Sequence, residues 1–231
     1  MFIGHAAVGF ASKAAAPRVS LGVLLAAPFL LDLLWPVFVL TGIESARIEP
    51  GNTAFSPIAF DSYPWSHSLL MAILWAALLG AFVHLALRSA AAGAVVALGV
   101  VSHWICDAVV HRPDLPLMPG GSLFVGMGLW NSRAATLAVE VPLFALGVWI
   151  YVRMTRPKDA IGRWALAALV AFLLAAYAGA AFGPPPPNVA TVAWTALALV
   201  LLIPWAVWID RHRVTEPSFG HVDTIDSGPG G

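Results

Sequence analysis

The sequence predicts an all-α fold, a polytopic membrane bundle of about six transmembrane helices plus a short N-terminal helix, on three observations. Of the 231 residues, 60% are apolar and only 10% are charged, against roughly 25% charged in soluble domains. The mean hydropathy is +0.84. Apolar segments long enough to cross a hydrocarbon core of about 30 Å recur near residues 20–40, 67–87, 90–110, 134–152, 162–182 and 190–209.

The elements follow in order. Met1 to Ala16 is a shorter apolar run around His5, open to reading as a signal sequence, an interfacial helix or a re-entrant helix. The signal reading fits poorly, because the first cation, Lys13, follows the apolar stretch instead of preceding it; the segment is therefore kept as mature structure. With six spans and the N-terminal side inside, one face carries Lys13, Arg18, Arg88, Arg153, Arg156, Lys158, Arg163, Arg211 and Arg213, and the other only Arg47, Arg112 and Arg133. The positive-inside rule then puts both termini in the cytoplasm of a cell (inner) membrane and turns the loops 41–66 and 111–133 outward. Trp65, Trp130 and Trp164 fall near span ends, where an interfacial belt would lie. Four consecutive prolines, Pro184–Pro187, cannot continue a helix and turn the chain between the last two spans. Residues 1–213 read as one transmembrane domain, and 214–231 as a disordered cytoplasmic tail rich in Gly, Ser and Asp.

Composition also excludes functions. The formal charge is zero and no Lys/Arg cluster exists, so nothing drives counterion release and nucleic acid is not an expected partner. One cysteine, Cys106, rules out an intrachain disulfide and a thiolate-rich metal site, and its apolar context reads as a buried small hydrophobe.

Ionisable groups within spans cost several kcal/mol unless they face protein or a partner. Here they are His5, Asp32, His67, His84, His103, Asp107, His111 and Glu140. His103, Asp107 and His111 recur every fourth residue and share one helical stripe; imidazole and carboxylate are the usual non-cysteine ligands of zinc and similar ions. Counting 1.5 Å per residue from the cytoplasmic markers Arg18, Ser89 and Arg153 brings Asp32, His103 and Glu140 to one level, about 20 Å up, and a re-entrant first helix brings His5 about 12 Å up. His84 lies near the cytoplasmic end and is left out. Asp61 and Asp114 lie in outer loops, where carboxylates need no special explanation.

The motifs Gly4-His5, Pro28-x-x-x-Asp32, Ser66-His67-Ser68 and Ser102-His103-x-x-x-Asp107 resemble those of the membrane-bound metal-dependent hydrolases, a family of small polytopic bacterial and archaeal proteins. They cover residues 1–111. The order His, Asp, His, His-x-x-x-Asp is also similar to the ligand order of secreted zinc-dependent phospholipase C enzymes. The resemblance implies His5, Asp32, His67, His103 and Asp107 as metal ligands, with His111 and Glu140 as further ligands or a catalytic base. It implies zinc, or else manganese, as cofactor. The chain departs from the family pattern at Asp32-Leu33-Leu34, where a second acid often follows, and at Tyr63-Pro64-Trp65 before Ser-His-Ser.

Three functions are carried forward. The leading expectation is metal-assisted hydrolysis of an ester or phosphoester, with Glu140 or Asp107 as general base. A site opening to the outer leaflet would suit a lipid or lipid-linked substrate, with the loop 111–133 as a lid. The alternatives are a proton- or metal-coupled transporter, which needs access from both faces, and a structural membrane protein. The orientation is tested by single cysteines on a Cys106→Ser background. A membrane-impermeant maleimide is expected to label Gly120→Cys in intact cells and to leave Lys158→Cys unlabelled, and the opposite pattern would invert the bundle.

Overall fold

The computed structural model describes residues 1–216. It contains six helices long and apolar enough to cross a membrane, each within a few residues of its predicted segment. A short helix α1 (Phe2–Ala11) precedes α2 (Leu21–Leu40). A single turn, α3 (Pro64–His67), precedes α4 (Leu69–Leu87), which turns tightly into α5 (Ala90–Val110). Next come α6 (Arg133–Met154) and α7 (Ala160–Phe182). The last span runs from Val189 to Arg211, as α8 (Val189–Leu197) and α9 (Leu202–Arg211) joined through the 3-10 turn Ala198–Leu201.

The helix starts are written in the sequence. Ser20, Ser68, Ser89, Ser132, Asp159 and Asn188 each accept a hydrogen bond from the amide three residues on, meeting one of the donors a helix leaves unpaired at its N-terminus. Between α4 and α5 the chain reverses at Arg88, whose φ of 49° is left-handed, and the two helices close on each other at Gly80 and Gly93. A Cβ at Gly93 would lie 2.6 Å from the Gly80 carbonyl oxygen, an approach open only to glycine.

Three two-stranded antiparallel ladders close the ends of the bundle. β1 (Ser45–Ile48) pairs with β2 (Ile58–Ser62), and β3 (Leu115–Pro116) with β4 (Phe124–Val125), both at the end where α2 and α5 terminate. At the opposite end β5 (Thr155–Pro157) pairs with β6 (Arg213–Thr215). This last strand crosses the expected boundary at residue 214, and the remainder of the expected tail, 217–231, lies outside the described residues.

α2 partitions two apolar cores. Leu21, Leu25 and Phe29 pack with Ile3, Phe10, Phe144, Tyr151, Leu169 and Ile209, joining α1, α6, α7 and α9. Leu24, Leu31 and Trp35 pack with Ala76, Val83, Val96, Val100 and Trp104, joining α4 and α5. The short N-terminal helix expected of the first segment is present and packed within the bundle. At 10 residues, α1 is about 15 Å long, half a membrane, and it lies inside the bundle with Ile3, Gly4, His5, Ala6, Ala7, Gly9 and Phe10 buried. Its far end is tied by buried Lys13, whose Nζ donates to Asp210 Oδ2 at 2.7 Å and to the Val19 carbonyl at 2.9 Å. Met1 sits at the other end, buried among α5 and α6 side chains.

α1 is seated on α6 through Gly147, where a Cβ would fall 2.4 Å from the Ala7 carbonyl oxygen and 2.7 Å from its Cα. Gly147→Val is expected to destabilise the protein by about 1–3 kcal/mol, as overpacking does, read as a lowered unfolding midpoint in detergent. An unchanged midpoint would mean α1 does not pack there.

Candidate metal centre

Where the two cores meet, four elements deliver polar side chains to one place. α1 brings His5, α2 brings Asp32, α3 brings His67, and α5 brings His103 and Asp107, with His111 capping its end. His67 was expected at the opening of the second span. It sits instead on the separate turn α3, because Ser68 is extended (φ −76°, ψ 151°) and starts α4 afresh, which lets His67 turn into the bundle.

Asp107 is the hub. Its Oδ1 lies 3.1 Å from His5 Nε2 and 2.5 Å from the Met1 amine. Its Oδ2 lies 3.1 Å from His103 Nε2, 3.7 Å from His111 Nε2 and 3.8 Å from His67 Nε2. His103 Nε2 is 3.2 Å from His67 Nε2, and Asp32 Oδ1 is 3.6 Å from His67 Nε2 and 3.9 Å from His103 Nε2. His5 and His103 stack with ring centroids 3.8 Å apart. Two overlapping sets, His5–His103–Asp107 and Asp32–His67–His103, have donor atoms all within 4.8 Å of one another. Ligands on 2.0–2.1 Å bonds to a tetrahedral ion stand about 3.3 Å apart. The separations of the His67 and His103 Nε2 atoms from each other, from Asp32 Oδ1 and from Asp107 Oδ2 run from 3.1 to 3.9 Å and bracket that value, and the donor set of imidazole nitrogen and carboxylate oxygen without thiolate is one that zinc and manganese accept.

The surroundings orient these groups. His103 Nδ1 lies 2.6 Å from the Pro28 carbonyl oxygen; a carbonyl only accepts, so Nδ1 carries the proton of the neutral ring, whose Nε2 then presents a lone pair to the cluster. His111 Nδ1 lies 3.1 Å from Asp114 Oδ1, which also accepts from the Tyr63 hydroxyl at 3.1 Å. Burial and the Asp114 carboxylate push the Tyr63 hydroxyl up, keeping it a donor. The Trp130 ring, assigned by the sequence to an interfacial belt, packs on His111 with centroids 4.5 Å apart.

Glu140 does not join the cluster. It is fully buried, but its Oε2 accepts from the Gly4 amide at 3.3 Å, so it faces the N-terminal turn of α1, where a carboxylate complements the helix dipole. His84, set aside from the sequence, is exposed on α4. The sequence reading passed over Glu44, Ser66 as a hydrogen-bonding partner of His67, Tyr63 and Asp114. Asp114 stands three residues after His111, the one local signal among them.

Fold and site together define a polytopic helical membrane protein with a buried histidine–aspartate cluster at one end of its bundle. A family model described as YdjM inner membrane protein matches residues 64–185, just over half of the chain, and the chain belongs to that family. The matched segment holds His67, His103, Asp107, His111 and Glu140 and leaves out His5 and Asp32. No curated protein and no solved structure matches the chain.

Proposed function

We propose that this protein is a membrane-embedded metal-dependent hydrolase of an ester or phosphoester, with Asp32, His67, His103 and Asp107 holding a divalent cation, zinc or else manganese, and with His5 bound to the opposite oxygen of Asp107. The carrying observation is the convergence of these donors from four elements at ligand-like separations within a membrane bundle, where unpartnered ionisable groups are costly.

When bound, the ion supplies Lewis acidity toward an ester or phosphoryl oxygen and makes a water more acidic. The chain's own residues do the rest. His103 and Asp107 are held rigidly, at 0% and 2% exposure, so the donors need little reorganisation. His111, its Nδ1 directed at Asp114, presents Nε2 toward the cluster and is placed to take a proton from an attacking water, with Asp114 orienting the ring. Glu140, the base expected from the sequence, is engaged with α1 and takes no part in this scheme.

Access supports the hydrolase over the transporter. Asp32 is the opening, its side chain 31% exposed against 0–4% for His5, His67, His103, Asp107 and His111. Toward the Lys13 end stand the packed Phe10, Phe144 and Tyr151 and then the Lys13–Asp210 pair. A cluster whose one exposed member is Asp32 suits a fixed cofactor, whereas carriage across the membrane needs a way out on both sides. On the proposed orientation the open end faces outward, and the exposed apolar side chains Met118, Leu123, Phe124 and Met127 of the neighbouring loop suit the bilayer surface and a lipid or lipid-linked substrate.

Elemental analysis of purified, tag-free protein tests the site. Wild type is expected to retain near-stoichiometric zinc or manganese through gel filtration, with His103→Ala and Asp107→Ala losing it and His84→Ala keeping it. Metal-supplemented wild type that retains none would leave the hydrolase reading without its cofactor.

A further inference from the structure

Glu44 lies in the loop after α2, far in sequence from any motif, yet it is buried, with 3% of its surface exposed. Its Oε1 accepts from the Trp65 and Ser66 amides, both at 2.8 Å, and its Oε2 accepts from the Ser66 hydroxyl at 2.6 Å. Ser66 Oγ in turn lies 2.7 Å from His67 Nδ1. The proton positions along this chain follow from its ends. A carboxylate holding two backbone N–H groups is an acceptor only, so the single Ser66 hydroxyl proton points to Glu44. Ser66 Oγ is then left to accept, and His67 must donate from Nδ1. Its Nε2 therefore carries a lone pair, as His103 Nε2 does by virtue of the Pro28 carbonyl. With both rings neutral, the two nitrogens face each other at 3.2 Å with no imidazole proton of their own between them, an arrangement that a metal cation or one added proton satisfies.

We infer that Glu44 is a positioning residue which, through Ser66, holds His67 in the tautomer whose Nε2 is free to bind a metal ion. The inference rests on the metal-site reading proposed above and adds to it a residue that touches no ligand atom of the cluster. Without the relay, the His67 proton can sit on Nε2 and hydrogen-bond to His103 Nε2, a neutral pair that occupies both nitrogens and competes with the ion.

Glu44→Gln reverses the relay at constant shape. The side-chain oxygen of glutamine still accepts from the Trp65 and Ser66 amides, so the loop keeps its anchor. The NH2 group, placed where Oε2 was, can only donate to Ser66 Oγ; Ser66 then donates to His67 Nδ1, and the imidazole proton moves to Nε2. Changing the partner that orients a ligating histidine weakens metal binding roughly 10- to 100-fold. The experiment measures the zinc dissociation constant of the full chain in detergent by chelator competition, beside the unfolding midpoint of the zinc-free protein. Glu44→Gln is expected to bind zinc roughly 10- to 100-fold more weakly with a zinc-free midpoint that does not fall. Wild-type affinity in Glu44→Gln overturns the relay, since a purely structural anchor is preserved in that variant. Should Glu44→Gln not fold, Ser66→Ala decides: it leaves the two backbone bonds to Glu44 in place, and weakened zinc binding there that Ser66→Thr restores supports the relay, while undiminished binding overturns it. Wild type that binds no zinc overturns the metal-site reading and the relay together, a result distinct from equal binding by wild type and Glu44→Gln.

Discussion

The Asp107 carboxylate holds the site together. It stands within reach of His5 on one oxygen and of His67, His103 and His111 on the other, so α1, α3 and both ends of the α5 stripe converge on one buried group. In a hydrocarbon environment such a carboxylate has no water to fall back on, and its demand for positive or hydrogen-bonding partners draws the polar side chains of separate helices to one depth. The position of α1 follows. A helix of 10 residues is too short to span, and it lies inside the bundle because its His5 end reaches Asp107 while its Lys13 end reaches Asp210.

The same constraint explains the division of labour between the two ends of the bundle. At the Lys13 end, polar groups are spent on closure. Asp210 accepts from Lys13, from the Leu21 amide and from the Tyr151 hydroxyl, and Arg213 donates to Thr155 and the Gly162 carbonyl, so α1, α2, α6, α7 and α9 are sewn together. At the other end the donors converge with lone pairs directed inward and one carboxylate, Asp32, half-open. The first pattern has its charges mutually satisfied. The second brings imidazole nitrogens and carboxylate oxygens from separate helices toward a common point, the arrangement on which the proposed metal site rests.

Much of this was legible in the residues themselves. Span positions follow from hydropathy and length, and the stripe His103–Asp107–His111 follows from helical geometry, because both are local properties. Level counting brought Asp32 and His103 together correctly. It also brought up Glu140; depth counting carries no rotation about the helix axis, and Glu140 turns to the Gly4 amide of α1 instead. His5, counted from Lys13 to a lower level than Asp32, also reaches the cluster, 3.1 Å from Asp107. What the sequence concealed are contacts made across loops. Glu44 meets Ser66 over 22 residues and Tyr63 meets Asp114 over 51, and neither pair has a period or motif to announce it. An acidic residue in an outer loop reads as solvated, and only the fold shows that Glu44 is covered and that Asp114 is bonded to a histidine of the site.

X-ray absorption at the zinc edge of metal-loaded protein tests the central claim most directly. The account predicts a first shell of nitrogen and oxygen at about 2.0–2.1 Å with the outer-shell pattern of imidazole, reduced in His67→Ala and abolished in the His67→Ala/His103→Ala pair. A sulfur shell at about 2.3 Å, or a spectrum indifferent to both substitutions, would place the metal elsewhere and contradict it.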